Sequence, residues 1–456
     1  MKDVKNLKIA YIGGGSRGWA PILMNDLAKE PLLGGTVALY DIDYPAALQN
    51  EKIGNRLSAR DDVKGKWIYK AEQELSTALT GADFVVISIL PGTFDEMESD
   101  VHYPEKYGIY QSVGDTTGPG GIIRALRTLP MFRDIALAIK ENCPNAWVIN
   151  FTNPMTVCVR TLYKVFPEIK AFGCCHEVFD TQRILRDMVN SKLGVNATRE
   201  DIKVNVVGVN HFTWFTEAKY KDVDLMPMYA EYVAEHPNGL GEHGDDNWVK
   251  LPFSTKQQVK FDLFRRYGAI AAAGDRHLAE FCPGSWYLHD RETVEKYGFT
   301  LTPVSHRKSE LLKRKAEVEE LANGKEFTFR ETGEESVRQI KALLGLGDFV
   351  TNVNLPNYGQ VPNNPIGAVV ETNVHLSGDS VRPIFAGNVP DNVNALVMRI
   401  IQEQEMVVEA ALSGDYELAF TAFRNNPNMQ LPIDKARELF DAMLENTKKY
   451  LPYYKK

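Results

Sequence analysis

Apolar residues in the first third of the chain form short unbroken runs, separated by stretches with helical spacing. Residues 8–12, 36–40, 84–90, 147–151 and 169–174 read as strands buried on both faces. Residues 19–28, 49–59 and 122–140 carry the three-to-four-residue apolar repeat of amphipathic helices. That alternation predicts an α/β fold, a doubly wound parallel sheet with crossover helices. Beyond about residue 195 the pattern changes. Residues 204–209 and 213–220 alternate like paired strands, and helical spacing returns at 261–272, 307–321, 392–411 and 434–449. The expected organisation is therefore a nucleotide-type sheet domain over 1–195 and a second, mixed α+β domain over 196–456. The Asn- and Pro-rich stretch 352–365 predicts an ordered surface loop.

A chain of 456 residues exceeds what one hydrophobic core organises, consistent with two domains. Lys and Arg total 52 against 60 Asp and Glu, a net charge of −8, which argues against nucleic acid or an anionic membrane as partner. No apolar stretch is long enough to span a bilayer, and the N-terminal one is too short for a signal peptide. The five cysteines, Cys143, Cys158, Cys174, Cys175 and Cys282, are sparse and odd in number. They read as free thiols in a reducing compartment, and the cytoplasm is the expected location.

The segment Gly13-Gly14-Gly15-Ser16-Arg17-Gly18 satisfies G-x-G-x-x-G between a predicted strand and a predicted helix, the context the motif requires. Gly13 permits the tight turn, Gly15 lets the backbone approach a pyrophosphate, and Gly18 allows close helix packing. Ser16 and Arg17 share the turn, where the helix N-terminus offers amide donors to phosphate. Asp41, at the end of the second strand, is placed for a ribose 2′-hydroxyl and favours NAD over NADP, with Arg17 working against that choice. A glycine turn without a ligand is the plainer alternative; strand, helix and acid in register favour the Rossmann-like reading.

Cys175 and His211 are far apart in sequence, and by residue type alone each reads as a core residue. Position points further. Cys175 lies just past a predicted strand, where open α/β sheets place ligands. His211 follows a buried strand and the polar Asn210. In an extended segment neighbouring side chains alternate, so Cys174 faces the core and Cys175 the cleft. A thiolate with an imidazole suits a transition metal. Asn153 reads as a turn residue before Pro154 or as a site residue at a strand end. Asp115 reads equally as a cap of the following helix or as a site residue. Asp275 has a structural alternative of the same kind, and Arg276 with Glu280 fits an i,i+4 ion pair.

Together these segments resemble glycoside hydrolase family 4, the NAD- and metal-dependent glycosidases, over nearly the whole chain. The resemblance rests on the glycine motif, Phe151-Thr152-Asn153-Pro154, Cys175-His176-Glu177-Val178, Gly208-Val209-Asn210-His211, and Phe264-Arg265-Arg266-Tyr267-Gly268 leading to Asp275. It implies that Cys175 and His211 hold a divalent metal, usually Mn²⁺, and that Asn153 and His176 contact substrate hydroxyls. It further implies Asp275 as the catalytic base and Asp115 as a candidate acid. Cys-His members act on unphosphorylated α-glycosides, and the Cys-His-Glu-Val form looks like the α-galacturonidase branch. The loop 88–93 lacks the arginine that phosphoglycosidases of this family carry. The implied chemistry is hydride transfer from C3 to NAD⁺, loss of the C2 proton, expulsion of the aglycone from C1, water addition and return of the hydride. A uronate substrate needs a cationic partner, for which Arg276 or His277 is the candidate, and a homodimer or homotetramer is expected. Two other readings share features with this one. A 2-hydroxy acid dehydrogenase of the lactate/malate type shares the overall fold and the Thr-Asn-Pro strand end, but has no use for Cys175 and His211. A non-catalytic NAD-binding protein would keep the glycine motif without the polar side chains at strand ends.

Overall fold

A computed structural model describes residues 3–241 and 253–451. Six parallel strands carry the first third of the chain: β1 (Leu7–Ile12), β2 (Gly34–Tyr40), β3 (Lys66–Glu72), β4 (Phe84–Ile87), β5 (Trp147–Asn150) and β6 (Lys170–Gly173). They lie in the order 3-2-1-4-5-6, the doubly wound arrangement in which the order reverses beside β1 and opens a crevice at the strand C-termini. β4 and β5 are buried along their whole length because helices cover both faces of the sheet. The helices Trp19–Lys29 and Tyr44–Ser58 pack one face through Leu23, Leu27, Ile53 and Leu57. The helix Gly118–Asn142 packs the other with Met155–Val165 and three C-terminal helices, Asp391–Ser413, Tyr416–Asn425 and Ile433–Thr447.

The second half opens with antiparallel strands β7 (Ile202–Val209) and β8 (Phe212–Tyr220), joined by β9 (Val223–Asp224) and β10 (Ile270–Ala271), as the alternation predicts. It then returns to the main sheet. β11 (Phe349–Pro356), β12 (Val369–Ser377) and β13 (Ser380–Pro383) continue that sheet antiparallel beyond β6, making nine strands. The residue-195 boundary falls in the connection ahead of β7, yet the main sheet draws strands from both sides of it.

Several elements, among them β12, β13 and the helices Met155–Val165 and Tyr416–Asn425, have no counterpart in the sequence expectation, and three departures have a plain physical cause. β3 has no counterpart there, because it is an edge strand with alternating exposure and lacks the unbroken apolar run of β4. The helix expected over 261–272 is Gln258–Tyr267; Gly268, at φ 71°, ends it in the left-handed conformation, and β10 follows. Residues 349–356, partly assigned to a surface loop, form the buried strand β11. Its asparagines are internal hydrogen-bonding groups: Asn352 Nδ2 donates to Glu371 Oε1 at 2.7 Å, which makes a polar strand resemble a loop. The cysteines are all free thiols. Among the described residues no helix is long and apolar enough to cross a membrane.

Candidate active site

The glycine turn is set by sterics. Gly13 has φ 96°, and a Cβ there would lie 2.0 Å from the Ser88 carbonyl oxygen, so only glycine fits. The Gly13 and Gly14 amides donate to Tyr40 O at 2.9 Å each. Asp41, just past β2, accepts from the Gly15 amide at 2.8 Å and the Asp43 amide at 2.9 Å. Burial pushes its carboxyl upward, opposed by those two amides. Ser16 Oγ accepts from the Trp19 amide, the first of the helix Trp19–Lys29, at 3.1 Å. Arg17 pairs with Asp43 at 3.0 Å. A Cβ on Gly18 would lie 2.4 Å from Arg314 Nη1, so Gly18 makes room for the helix Val304–Ala322 of the second half. Sequence reading missed Asn50, whose buried amide holds the turn by donating to Gly14 O at 2.7 Å and Ser16 O at 3.0 Å.

Beyond Trp19, the first residue after this turn, lies a cavity of about 390 Å³ lined among others by Trp19, Asn153, Cys175, His176, Asp275 and Arg307. At its floor Asp115, His211 and His277 each bring one ligand atom within 4.8 Å of the other two. The imidazoles of His211 and His277 lie with ring centroids 3.9 Å apart. Thr116 Oγ1 bridges the group, 2.8 Å from Asp115 Oδ1 and 3.2 Å from His211 Nδ1. Burial, helped by His277, pulls His211 down to about 3, so its ring is neutral at physiological pH, the form a metal ligand requires. His277 is lowered by burial too. Burial pushes Asp115 up, but Arg124, His277, His211 and Arg307 together outweigh it and hold the carboxyl well below the usual range. Asp115 is therefore an ionised oxygen donor. It does not cap the helix Gly118–Asn142, whose N-cap is Thr117 without a side-chain cap bond. The donor set, two neutral imidazoles and a carboxylate, fits a divalent cation.

Cys175 follows β6 and lines the same cavity, packed against Met155, Val159 and Val369. Burial, then Glu371 and Glu177, push its thiol well above the ordinary value. Cys174 packs on the opposite core and donates to Gln339 Oε1 at 3.1 Å, as alternation predicts, although its edge also reaches the cavity wall. Of the two expected metal ligands, the structure thus brings His211 into the converging cluster and places Cys175 on the wall beside it. Asp115 and His277 complete the cluster. His277 sits next to the predicted Asp275, but its sequence neighbours give no sign of the distant His211 it faces.

Asn153 Oδ1 is buried without a partner in the cavity wall. His176 Nδ1 lies 3.2 Å from Glu334 Oε1, which raises its basicity, and its ring is 6.2 Å from that of Trp19. Asp275 opens the helix Asp275–Phe281; its carboxylate accepts from the Lys260 amide at 3.0 Å and the Thr255 hydroxyl at 2.9 Å, and burial raises it. Glu177, also missed, accepts from the Gly274 amide at 3.1 Å and lies 3.6 Å from His277 Nε2. Its carboxyl is raised by burial but drawn down overall to about 2, chiefly by His277 and His211. Arg276 and Glu280 make no i,i+4 pair: Glu280 Oε1 accepts from the Val113 and Gly114 amides at 2.7 and 2.8 Å.

Two family profiles match this chain: family 4 glycosyl hydrolase over residues 8–191, and the C-terminal domain of that family over residues 206–429. The α-galacturonidase of Thermoanaerobacterium saccharolyticum is 62% identical over 455 residues, covering 99% of this chain and 98% of the relative. The crystal structure of a Bacillus subtilis protein, provisionally described as a glucosidase, superposes with a TM-score of 0.91 at 51% identity, covering 96% of this chain and 100% of that one. A 6-phospho-α-glucosidase from gut microorganisms, solved with NAD and Mn²⁺, has the same fold at 22% identity, with a TM-score of 0.81 over 99% of this chain and 100% of that one. With both of its halves matched, the chain belongs to family 4 of the glycosyl hydrolases.

Proposed function

We propose that the protein is an α-galacturonidase that works with NAD and a divalent metal, Mn²⁺ foremost, by oxidation at C3, elimination across C1–C2, hydration and re-reduction. The observation that carries this reading is a cavity that holds the Asp115–His211–His277 cluster and is walled in part by Trp19, the residue directly after the glycine turn. When bound, NAD would accept and return the C3 hydride while the metal polarised the C3 carbonyl.

The chain's own residues divide the remaining work. Gly13, Gly15, Ser16, Arg17 and Gly18 shape the dinucleotide turn, and Asp41 exchanges its bond to the Gly15 amide for one to the ribose. Asp115, His211 and His277, with Cys175 beside them, supply the metal donors. Imidazole nitrogen and carboxylate oxygen suit Mn²⁺ better than a thiolate–imidazole pair alone, and Asp115 serves this role ionised. Asn153, with its unpartnered oxygen, and His176 orient sugar hydroxyls. Asp275 takes the C2 proton, for which one oxygen must leave Thr255 or the Lys260 amide; its raised basicity favours that transfer. The galacturonide is favoured by the α-galacturonidase that is 62% identical over 455 residues and by the loop 88–93. Arg127, which reaches that loop at Pro91 O, is committed to Asp100 in a buried pair.

The test is hydrolysis of p-nitrophenyl α-galacturonide by the purified protein. Cleavage should require both NAD⁺ and Mn²⁺ and leave no net NADH. NADH accumulating in step with product would transfer the site to dehydrogenase chemistry.

A further inference from the structure

Two arginines in the cavity wall lack the partners their position calls for. Arg276 is the second residue of the helix Asp275–Phe281, and Arg307 lies in the first turn of the helix Val304–Ala322. Both line the cavity. Their guanidinium carbons lie 4.7 and 5.8 Å from the centroid of the Phe253 ring, which both face. The Nε of each is buried with no hydrogen-bond partner. Among the described residues neither guanidinium is in an ion pair. Among the described residues the one hydrogen bond of the Arg276 head is a long one to Ser112 O at 3.4 Å, and its own carbonyl accepts from the Ser112 hydroxyl. Glu280, one helical turn on, is spent on the Val113 and Gly114 amides.

Two like charges sharing one partly exposed ring repel each other. Asp115 acts on both at longer range, and Glu177 and Glu280 on Arg276, but none of these carboxylates forms an ion pair with either guanidinium, and an anion between the two would offset their repulsion directly. The anion site is tied to the metal donors through short stretches of backbone: Arg276 and His277 are consecutive, and Ser112, which grips Arg276, lies three residues before Asp115. Both sites are thus within reach of one monosaccharide. The dinucleotide phosphates belong elsewhere, at the Trp19 end, where Arg17 and Arg314 stand by the glycine turn.

We infer that Arg276 and Arg307 bind the C6 carboxylate of the substrate and set the preference for a uronide over a neutral sugar. The inference rests on the galacturonidase reading and names the side chains that enforce it. A planar carboxylate presents two oxygens, and a guanidinium fork meets them with paired donors that a C6 hydroxyl cannot satisfy. A site built around such donors rejects the neutral analogue because its own buried groups are then left unpaired.

The experiment compares kcat/KM for p-nitrophenyl α-galacturonide, α-galactoside and 6-phospho-α-galactoside in wild type, Arg276→Gln, Arg307→Gln, Arg307→Lys and Lys315→Gln. NAD⁺ and Mn²⁺ binding are titrated on each to establish folding. The galacturonide-to-galactoside ratio should fall about 100-fold in Arg307→Gln and in Arg276→Gln. Arg307→Lys should fall between these and wild type, keeping the charge without the fork. Lys315→Gln, an equal loss of charge farther along the same helix, should leave the ratio as it was. Equal loss on both sugars in the arginine variants, with cofactors still bound, overturns this inference and leaves the galacturonidase reading standing. Wild type preferring the galactoside overturns both. Preference for the 6-phosphate, lost in the same variants, assigns the pair to a phosphate and overturns the uronate claim.

Discussion

The glycine turn and the floor of the cavity stand at two ends of one crevice and are built on opposite principles. In the turn most polar groups find partners within the protein: Gly13 and Gly14 with Tyr40, Gly15 with Asp41, and the carbonyls of Gly14 and Ser16 with Asn50, with Arg17 Nε and Asn50 Oδ1 as the exceptions. On the floor and walls of the cavity they do not. His277 Nδ1, Asn153 Oδ1 and the Nε atoms of Arg276 and Arg307 are buried without partners. Buried polar groups in folded proteins are nearly always satisfied, so a concentration of unsatisfied ones marks a surface completed by ligands. The turn is a shape that exists before its ligand arrives. The cavity is a charge arrangement, oriented in advance and held at some cost to stability. The first should fail by steric damage and the second by loss of charge or donor.

The largest break is expected at the floor. His211→Ala should lower kcat/KM about 10³-fold or more, because several kcal/mol of Lewis-acid stabilisation depend on the metal being held. NAD⁺ affinity, read by fluorescence titration, should stay near wild type. A parallel loss of NAD⁺ binding would show that the two regions are not separable. At the turn, Gly13→Ala should weaken NAD⁺ by about tenfold or more and lower the melting temperature. The added Cβ meets Ser88 O, and positive φ alone costs about 1–3 kcal/mol. An unchanged melting temperature would mean that the turn relaxes freely. Between them, Cys175→Ser should lower Mn²⁺ affinity about 10-fold, measured by activity against metal concentration, whereas Cys174→Ser should be close to wild type. Equal losses would remove the facing argument.

The smallest effect is on stability. Burial pushes Glu371, behind Cys175, up to about 7 from 4.5, against the bonds from Asn210 and Asn352. A carboxyl whose folded value is raised contributes stability that is fully present below about pH 4.5 and lost as pH rises through about 7. Thermal melts of the metal-free protein should therefore show Glu371→Gln gaining on wild type from pH 4.5 to 8. A constant difference across that range would mean that Glu371 stays ionised.

The same contrast governs what the sequence reveals. The turn is contiguous, so Gly13, Gly15, Gly18 and Asp41 are recognisable from spacing, and the parallel sheet with crossover helices follows from the βαβ rhythm, although its edge strand β3 leaves no such mark. The cavity is assembled from eight separated segments. Strand-end logic reaches Asn153, Cys175 and His211, because each follows a recognisable strand. It does not reach Arg307, in the first turn of a polar helix, or pair His277 with His211, because neither contact leaves a local periodicity. Asn352 and Asn354 misled for a related reason: polar residues in a buried strand read as a loop when their partner, Glu371, is unknown. Asp115 was legible as a position, while its ionised state depends on Arg124 and Arg307, which only the fold brings near.

The central claim is that this cavity removes a proton from C2 of the sugar. It is tested most directly by letting the enzyme turn over p-nitrophenyl α-galacturonide in heavy water with NAD⁺ and Mn²⁺ and reading the released sugar by proton NMR. The account predicts deuterium at C2 of the product. Full retention of protium at C2, with cleavage proceeding normally, would contradict it.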